Sequence, residues 1–449
     1  MFEYEGVLYR QVNNDYAKDY DYLVQSGLNK FLYCNGYLVA HEEVDLSVDQ
    51  PITPYKIIRP DFVNFISYPY EWCFRQYRDA ALLTLDIQRL AVEHGMTLKD
   101  ASAYNVQFQH GRPVFIDTLS FEKYVEGQPW IAYRQFCQHF LAPLALMAKK
   151  DIRLNKLMLG NIDGIPLDLA STLLSGSTWF NPGLAIHLHI HSKTQKAFSD
   201  SAGVEKSRKQ RQRSVSKNGL LGIIDGLRRT VSRLSYKKSR TEWGDYYKDT
   251  NYSEEAFDEK KRAVKDFLKT IRPGNVWDIG ANIGVFSRLA SEMDIHTVSF
   301  DIDPVAVEYN YKMVRDNDER NLLPLLLDLT SPSPDIGWEN SERDSLVRRG
   351  PVDCVLALAL IHHLAISNNV PLERIASFFS KVCSFLIIEF VPKTDSQVQR
   401  LLASRKDIFD DYEQQYFEEA FGCFFKVINC KQIKHSERVL YLMENKLHR

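Results

Sequence analysis

Three acids each close an apolar run of strand type: Asp278 in NVWD, Asp301 in HTVSFD and Asp328 in LLPLLLD. Carboxylates at the ends of successive buried strands gather at one edge of a sheet, where they accept hydrogen bonds or meet a positive charge. After the first of them comes Gly280-Ala281-Asn282-Ile283-Gly284, placed between a strand and a helix. Glycines there let the backbone approach a ligand closely, and the helix N-terminus offers unpaired N–H groups. A dinucleotide loop reads G-x-G-x-x-G, but Asn282 stands in place of the second glycine, which turns the reading away from NAD. Asp278 would repel a pyrophosphate and suits a ligand with an amino cation. Asp301 follows Gly280 by 21 residues and suits ribose hydroxyls, and Asp328 suits an adenine amino group. His362 and His363 lie past a fourth apolar run at 352–360, at the edge where a second substrate enters. Imidazole titrates near neutral pH, so either is a candidate proton acceptor.

The elements that must position these groups alternate. Apolar runs at 275–280, 296–301, 322–328, 352–360 and 383–390 read as strands, and 254–270, 285–293 and 305–315 as helices between them. Such alternation predicts a parallel sheet covered on both faces. The runs at 423–430 and 438–444, separated by a short polar turn, predict a final antiparallel hairpin.

With DIGANIG, SFDID, LLLDL, DCVLALALIHHL and the terminal hairpin together, residues 241–449 resemble a class I S-adenosylmethionine-dependent methyltransferase. The resemblance implies a Rossmann-like, doubly wound, seven-stranded sheet with an antiparallel last strand. It also implies a cofactor site at Asp278, Gly280, Ala281, Asn282, Gly284, Asp301, Ile302, Asp328 and Leu329. The Asn-Pro-Pro-Tyr type signature of many base and amide N-methyltransferases is absent from the fourth strand, so the expected acceptor is a hydroxyl-bearing small molecule or saccharide. Trp243, Tyr246, Tyr247, Asn251 and Tyr252 precede the domain as an aromatic arm able to close over a cofactor.

Residues 1–200 form an expected N-terminal α+β domain. A helix at 79–95 precedes Asp100-x4-Asn105, and Asp117 follows across a hairpin turned at 110–112. This resembles the catalytic loop and metal-binding aspartate of kinase-like phosphotransferases, though Leu98-Lys99-Asp100 replaces the usual His-Arg-Asp and no glycine-rich phosphate loop precedes it. In that family's logic Asp100 orients a hydroxyl, Asn105 and Asp117 hold magnesium on ATP, and Lys56 and Glu71 form the supporting ion pair. A bifunctional kinase–methyltransferase and a non-catalytic cofactor-binding scaffold are therefore the alternatives to a methyltransferase with an accessory domain. His187, His189 and His191 share a face only on a strand and diverge on a helix.

Lys plus Arg number 56 against 58 Asp plus Glu, so the whole chain carries no nucleic-acid footprint. The balance conceals 12 basic residues and two acidic ones between Ser201 and Arg240, a local +10 against −12 elsewhere. This stretch reads as a basic linker carrying an amphipathic helix at 219–234, with Leu220, Ile223, Ile224, Leu227 and Leu234 on one side and Arg228, Arg229 and Arg233 on the other. Docking against a domain or against an anionic membrane surface fits that pattern. Seven cysteines without a Cys-x-x-Cys pair, no leader-like start and no long apolar run lead to the expectation of a reducing cytoplasm.

Overall fold

The computed structural model describes residues 1–46, 53–193, 214–236, 253–403, 405–434 and 436–447. Its two units divide at Lys237 and Lys238, inside the basic stretch. The aromatic arm at 243–252 and the basic run at 201–213 lie outside the described residues.

In the first unit, β1 (Phe2–Tyr4), β2 (Val7–Val12), β3 (His41–Val44) and β4 (Lys56–Pro60) make an antiparallel sheet of order β1-β2-β4-β3. Helices α1 (Ala17–Gln25) and α2 (Leu28–Cys34) lie between β2 and β3. Helix α3 (Phe74–Glu93) buries Tyr77, Ala80, Ala81, Thr84, Leu85, Gln88, Ala91 and Val92, a spacing that defines its inner face. It stops at Gly95, whose φ of +76° suits glycine. Strands β5 (Met96–Leu98) and β8 (Phe121–Lys123) pair with each other. The hairpin of β6 (Val106–Gln109) and β7 (Arg112–Phe115) turns at His110 and Gly111, as its sequence predicts. Trp72 and Trp130 are core residues.

The helix expected in the linker is real but is no part of a free connector. Helix α4 (Lys217–Arg233) buries Leu220, Ile224, Leu227 and Val231 and packs on α3. Arg228 pairs with Asp86 at 2.6 Å, and Asp225 with Arg89 at 2.6 Å. Its apolar face is covered within the first unit, and the two helices exchange charges, Arg228 meeting an acid of α3 and Asp225 an arginine of α3.

In the second unit, β9 (Asn275–Ile279), β10 (His296–Asp301), β11 (Leu322–Leu326), β12 (Val352–Ala357), β13 (Cys383–Phe390), β14 (Phe425–Gln432) and β15 (Val439–Asn445) form one seven-stranded sheet. Its order is β11-β10-β9-β12-β13-β15-β14. The first five strands are parallel, while β15 runs antiparallel to both neighbours. Reversal of order beside β9 creates a crevice at the carboxyl ends of β9 and β12, where ligands bind in open α/β sheets. Helix α5 (Glu254–Ile271) begins at Ser253, whose Oγ accepts the Ala256 N–H. Two glutamates sit in its first turn, and it ends at Arg272 in a left-handed conformation. Helices α6 (Val285–Ser291), α7 (Pro304–Asp316), α8 (Leu372–Val382) and α9 (Gln414–Gly422) complete the covering layers.

The turn between β9 and α6 is held by packing as well as by backbone preference. Gly284 has φ +78°, and a Cβ there would lie 2.5 Å from Asn310 Nδ2. Arg288 donates to the Ile283 and Gly284 carbonyls, pairs with Glu319 at 2.9 Å and donates to Asn310 Oδ1 at 2.9 Å, the last bond tying the turn to α7. Replacing Gly284 with Ala imposes both a clash and a strained φ, so it should destabilise the second unit by about 2–4 kcal/mol. Urea unfolding checks this, and a loss below 0.5 kcal/mol would mean that the turn tolerates a side chain, against roughly the ordinary surface-substitution scale.

Candidate functional site

Asp278 lies at the carboxyl end of β9, 2% exposed, with its Oδ2 accepting the Ser287 hydroxyl at 2.6 Å. Burial pushes its pKa up to about 7. The Ser287 hydrogen bond opposes that rise, the Asp301 charge adds to it, and the Lys260 charge opposes it. Asp301 ends β10, and its two oxygens accept the Asn282 N–H at 2.7 Å and the Asp303 N–H at 2.8 Å. Burial raises it to about 6 despite those backbone donors. The adjacent strands therefore place two desolvated carboxyls at one edge, joined by the glycine turn. Gly280 and Ala281 each donate an N–H to the Phe300 carbonyl at 2.9 Å. Asn282 takes φ +50° where a dinucleotide loop would have its second glycine, a conformation asparagine tolerates better than most residues.

Ile302, next to Asp301, is 56% exposed, an apolar side chain presented to solvent at the edge where the acids are buried. Asp328 and Leu329 lie past β11, which stops at Leu326. The Asp328 Oδ1 accepts both the N–H and the hydroxyl of Thr330, so one oxygen of this acid closes its own turn.

The fourth strand ends at Ala357, earlier than the apolar run suggests, because Ala359 turns the chain at φ +51°. Leu360 then lies close to Gly280, 3.3 Å from where its Cβ would be. His362 is buried, its ring centroid 4.1 Å from that of His363, which is half-buried. Burial drives His362 well below the ordinary imidazole value, with His363, Arg438 and Lys260 adding to it. His363 falls to about 4, through burial first and Arg438 second. Both rings are neutral at neutral pH. The Nδ1 of His362 has no hydrogen-bond partner among the described residues.

Sequence reasoning missed a buried charged group beside these residues. Lys260 of α5 pairs with Glu389 of β13 at 2.7 Å, the two side chains 3% and 0% exposed. Arg438, equally buried, pairs with Asp395 at 2.7 Å and lies 4.0 Å from Glu389. A signal existed: Ala256, Lys260, Ala263, Val264 and Phe267 share the inner face of α5, and Glu389 interrupts the apolar run CSFLIIEF.

In the first unit Asn105 and Asp117 come together through Ser120, whose hydroxyl donates to Asp117 Oδ2 at 2.6 Å and accepts from Asn105 Nδ2 at 3.3 Å. Asp117 also caps the following turn through the Leu119 N–H, and the Arg10 guanidinium of β2 pairs with it directly. Asp100 accepts from the Ser102 N–H and from Gln135 Nε2. A cation supplied by the chain thus sits on the carboxylate that the kinase-like resemblance assigns to magnesium. The expected Lys56–Glu71 pair is not formed. Lys56 pairs with Glu43 on the neighbouring strand at 2.8 Å, and the buried Glu71 accepts the Tyr68 N–H at 2.9 Å. His187, His189 and His191 occupy a helical stretch, in which His187 and His191 both meet Tyr133, by a hydrogen bond at 2.8 Å and by stacking, while His189 points elsewhere, to Ser171 and Thr178. Among the described residues no group of three His, Cys, Asp or Glu is placed to share a metal, and no helix is long and apolar enough to cross a membrane.

Strand order, the glycine turn and the acids at the ends of β9 and β10 together define the second unit as a class I methyltransferase fold. The chain belongs to the family of the nodulation protein NoeA of Rhizobium meliloti (strain 1021), with which it is 36% identical over 391 residues, 87% of this chain and 82% of that protein. No family model matches the sequence. Among solved structures, the magnesium protoporphyrin IX methyltransferase ChlM of Synechocystis PCC 6803 with bound SAH is 17% identical over 45% of this chain and 93% of that one, at a TM-score of 0.32. A putative O-methyltransferase of Nostoc punctiforme PCC 73102 is 14% identical over 45% and 60%, at 0.34. The bifunctional kinase–methyltransferase WbdD is 18% identical over 42% of this chain and 39% of that one, at 0.29. The fold assignment rests on strand order and not on these scores.

Two outcomes follow. The folded-state pKa of Asp278 lies above the ordinary 3.8, so the native state keeps a proton that the unfolded chain has released, and the resulting penalty grows as pH rises from about 4 to 7. Asp278→Asn should therefore match wild type near pH 4 and exceed it by about 2–4 kcal/mol at pH 8 in urea unfolding. An equal difference at both pH values would contradict a desolvated carboxyl. Because Arg10 holds Asp117, ATP with magnesium should shift the first unit's melting temperature by less than about 1 °C, where occupancy at 100 times Kd would add about 2.7 kcal/mol.

Proposed function

We propose that the chain is an S-adenosylmethionine-dependent methyltransferase acting on a hydroxyl-bearing small molecule or saccharide. The observation that carries this reading is the pair of desolvated acids, Asp278 and Asp301, at neighbouring strand ends beside a positive-φ glycine turn and an exposed Ile302. These residues fit the cofactor's chemistry. Asp278, a buried carboxyl facing a cost at neutral pH, suits an ammonium group that stabilises its charged form. Asp301 keeps lone pairs for ribose hydroxyls after accepting one backbone N–H on each oxygen. Ile302 offers an apolar surface for a purine face, and Asp328 and Leu329 stand at the next strand end. The cofactor, when bound, supplies an electrophilic methyl group.

For a hydroxyl acceptor the remaining requirement is alignment and a place for the proton. His363, half-buried and neutral, is the residue we assign to accept it, with His362 packed behind its ring. A base whose pKa is about 4 is weak but unprotonated at neutral pH, which leaves orientation as the main contribution of this site. The name of the relative NoeA ties that protein to nodulation and specifies no acceptor.

Calorimetry with S-adenosylhomocysteine tests the cofactor half. Wild type should bind one equivalent, and Asp301→Ala should weaken binding by about tenfold to a hundredfold, the loss of charge-assisted hydrogen bonds. His363→Ala should leave the affinity within about twofold, since less than 0.5 kcal/mol is at stake for a residue that touches only the acceptor. No binding by wild type would refute the methyltransferase reading, and a large loss in His363→Ala would refute its role at the acceptor.

A further inference from the structure

The Lys260–Glu389 pair is fully buried in the second unit, with Arg438 4.0 Å from the same glutamate, and none of these groups has a part in the proposed chemistry. Burying both charges costs more than an apolar pair of similar shape, so a pair kept in such a place calls for a role other than stability. Its location supplies one. Helix α5 packs over α6, and the Lys260 ammonium lies 4.9 Å from the centre of the Phe286 ring. The next residue, Ser287, donates its hydroxyl to Asp278. The ammonium therefore stands behind the α6 turn that orients the Asp278 carboxyl.

Resting on the methyltransferase reading, we propose that Lys260, anchored by Glu389, is a positioning residue of the cofactor site. Its buried positive charge acts through Asp278 to hold that side chain as the carboxylate which receives the cofactor's ammonium group. Lys260 does not touch the ligand, because its side chain is 3% exposed and its ammonium is held at 2.7 Å by Glu389. The groups facing Asp278 are Ser287 from α6, Asp301 from β10, Cys354 from β12 and Lys260 from α5, and of these only Lys260 is a cation. Asp301 opposes the anion, and the Ser287 hydroxyl supports it without charge. Arg438, bound to Asp395, lies 4.0 Å from the same Glu389 oxygen, and burial first and then its charge lower the Lys260 pKa, which Glu389 opposes. Glu389 serves as the anchor: it fixes the ammonium at 2.7 Å and removes the cost of an isolated buried cation.

The test uses the full chain and two readouts. Because Lys260→Met alone strands a buried glutamate, the variant is Lys260→Met combined with Glu389→Leu, and Lys260→Arg is the conservative control. Infrared titration of ligand-free protein follows the protonated-carboxyl band of Asp278, assigned by its disappearance in Asp278→Asn. The double variant should ionise Asp278 about one pH unit higher than wild type, and Lys260→Arg should ionise with wild type. Calorimetry with S-adenosylhomocysteine should then show the double variant weakened about fivefold at pH 7 and within about twofold of wild type at pH 8. An unmoved ionisation midpoint in a folded double variant overturns the proposal. A loss of affinity equal at both pH values also overturns it, because that pattern belongs to a purely structural role. Absence of binding by wild type, with the midpoint shifted as expected, refutes the cofactor reading while leaving the Lys260–Asp278 link standing.

Discussion

Desolvation of carboxyl groups at the carboxyl ends of β9 and β10 is the constraint on which the second unit's site depends. A parallel sheet covered on both faces buries whatever its strands end on, and here they end on Asp278 and Asp301. An isolated carboxylate in that place is costly, so the surroundings offset part of the cost with the Ser287 hydroxyl, the Asn282 and Asp303 N–H groups and a buried lysine. The remainder is a site short of positive charge. A ligand that carries an amino cation and hydroxyl donors removes the deficit, and that match is the ground of the S-adenosylmethionine site we propose.

The glycine turn gives this arrangement its shape. Gly280 lets the turn pass beneath Leu360, and Gly284 lets α6 begin against Asn310 and Arg288. Asn282 donates its backbone N–H to Asp301, so one turn spaces both acids and orients one of them. The histidine side is built differently. His362 and His363 sit on a short helical turn after a left-handed residue, and their neutrality comes from burial first, with the Arg438 charge lowering both and the Lys260 charge lowering His362.

How much of this was legible depended on whether a residue's role is local. The strands and helices of 254–445 follow from periodicity, and the acids at their ends follow from position, because a parallel sheet leaves a buried strand end little choice of surroundings. Lys260 and Glu389 are 129 residues apart, and their pairing is a property of the sheet order that no window of sequence contains. In the first unit, the spacing of Asp100, Asn105 and Asp117 suggested a metal site, yet a carboxylate in a turn has an alternative that spacing cannot reveal. Asp117 caps its own turn, binds Ser120 and is met by Arg10, 107 residues earlier on another strand. Lys56 likewise found Glu43 across one strand pair before it could meet Glu71. Helix 217–233 was legible as amphipathic, but what covers its apolar face was set by the acids Asp86 and Asp225, whose pairing with Arg228 and Arg89 selects α3.

The match to NoeA is longer than either unit, so the joining of a methyltransferase fold to this particular first unit belongs to the family. The central claim is that the crevice of the second unit holds S-adenosylmethionine on Asp278 and Asp301, and a crystal structure of the full chain soaked with S-adenosylhomocysteine tests it most directly. The account predicts density with the ribose on Asp301, the amino group at Asp278 and the purine beside Ile302. An empty crevice at saturating ligand, or the nucleoside seated anywhere else on the chain, would contradict it.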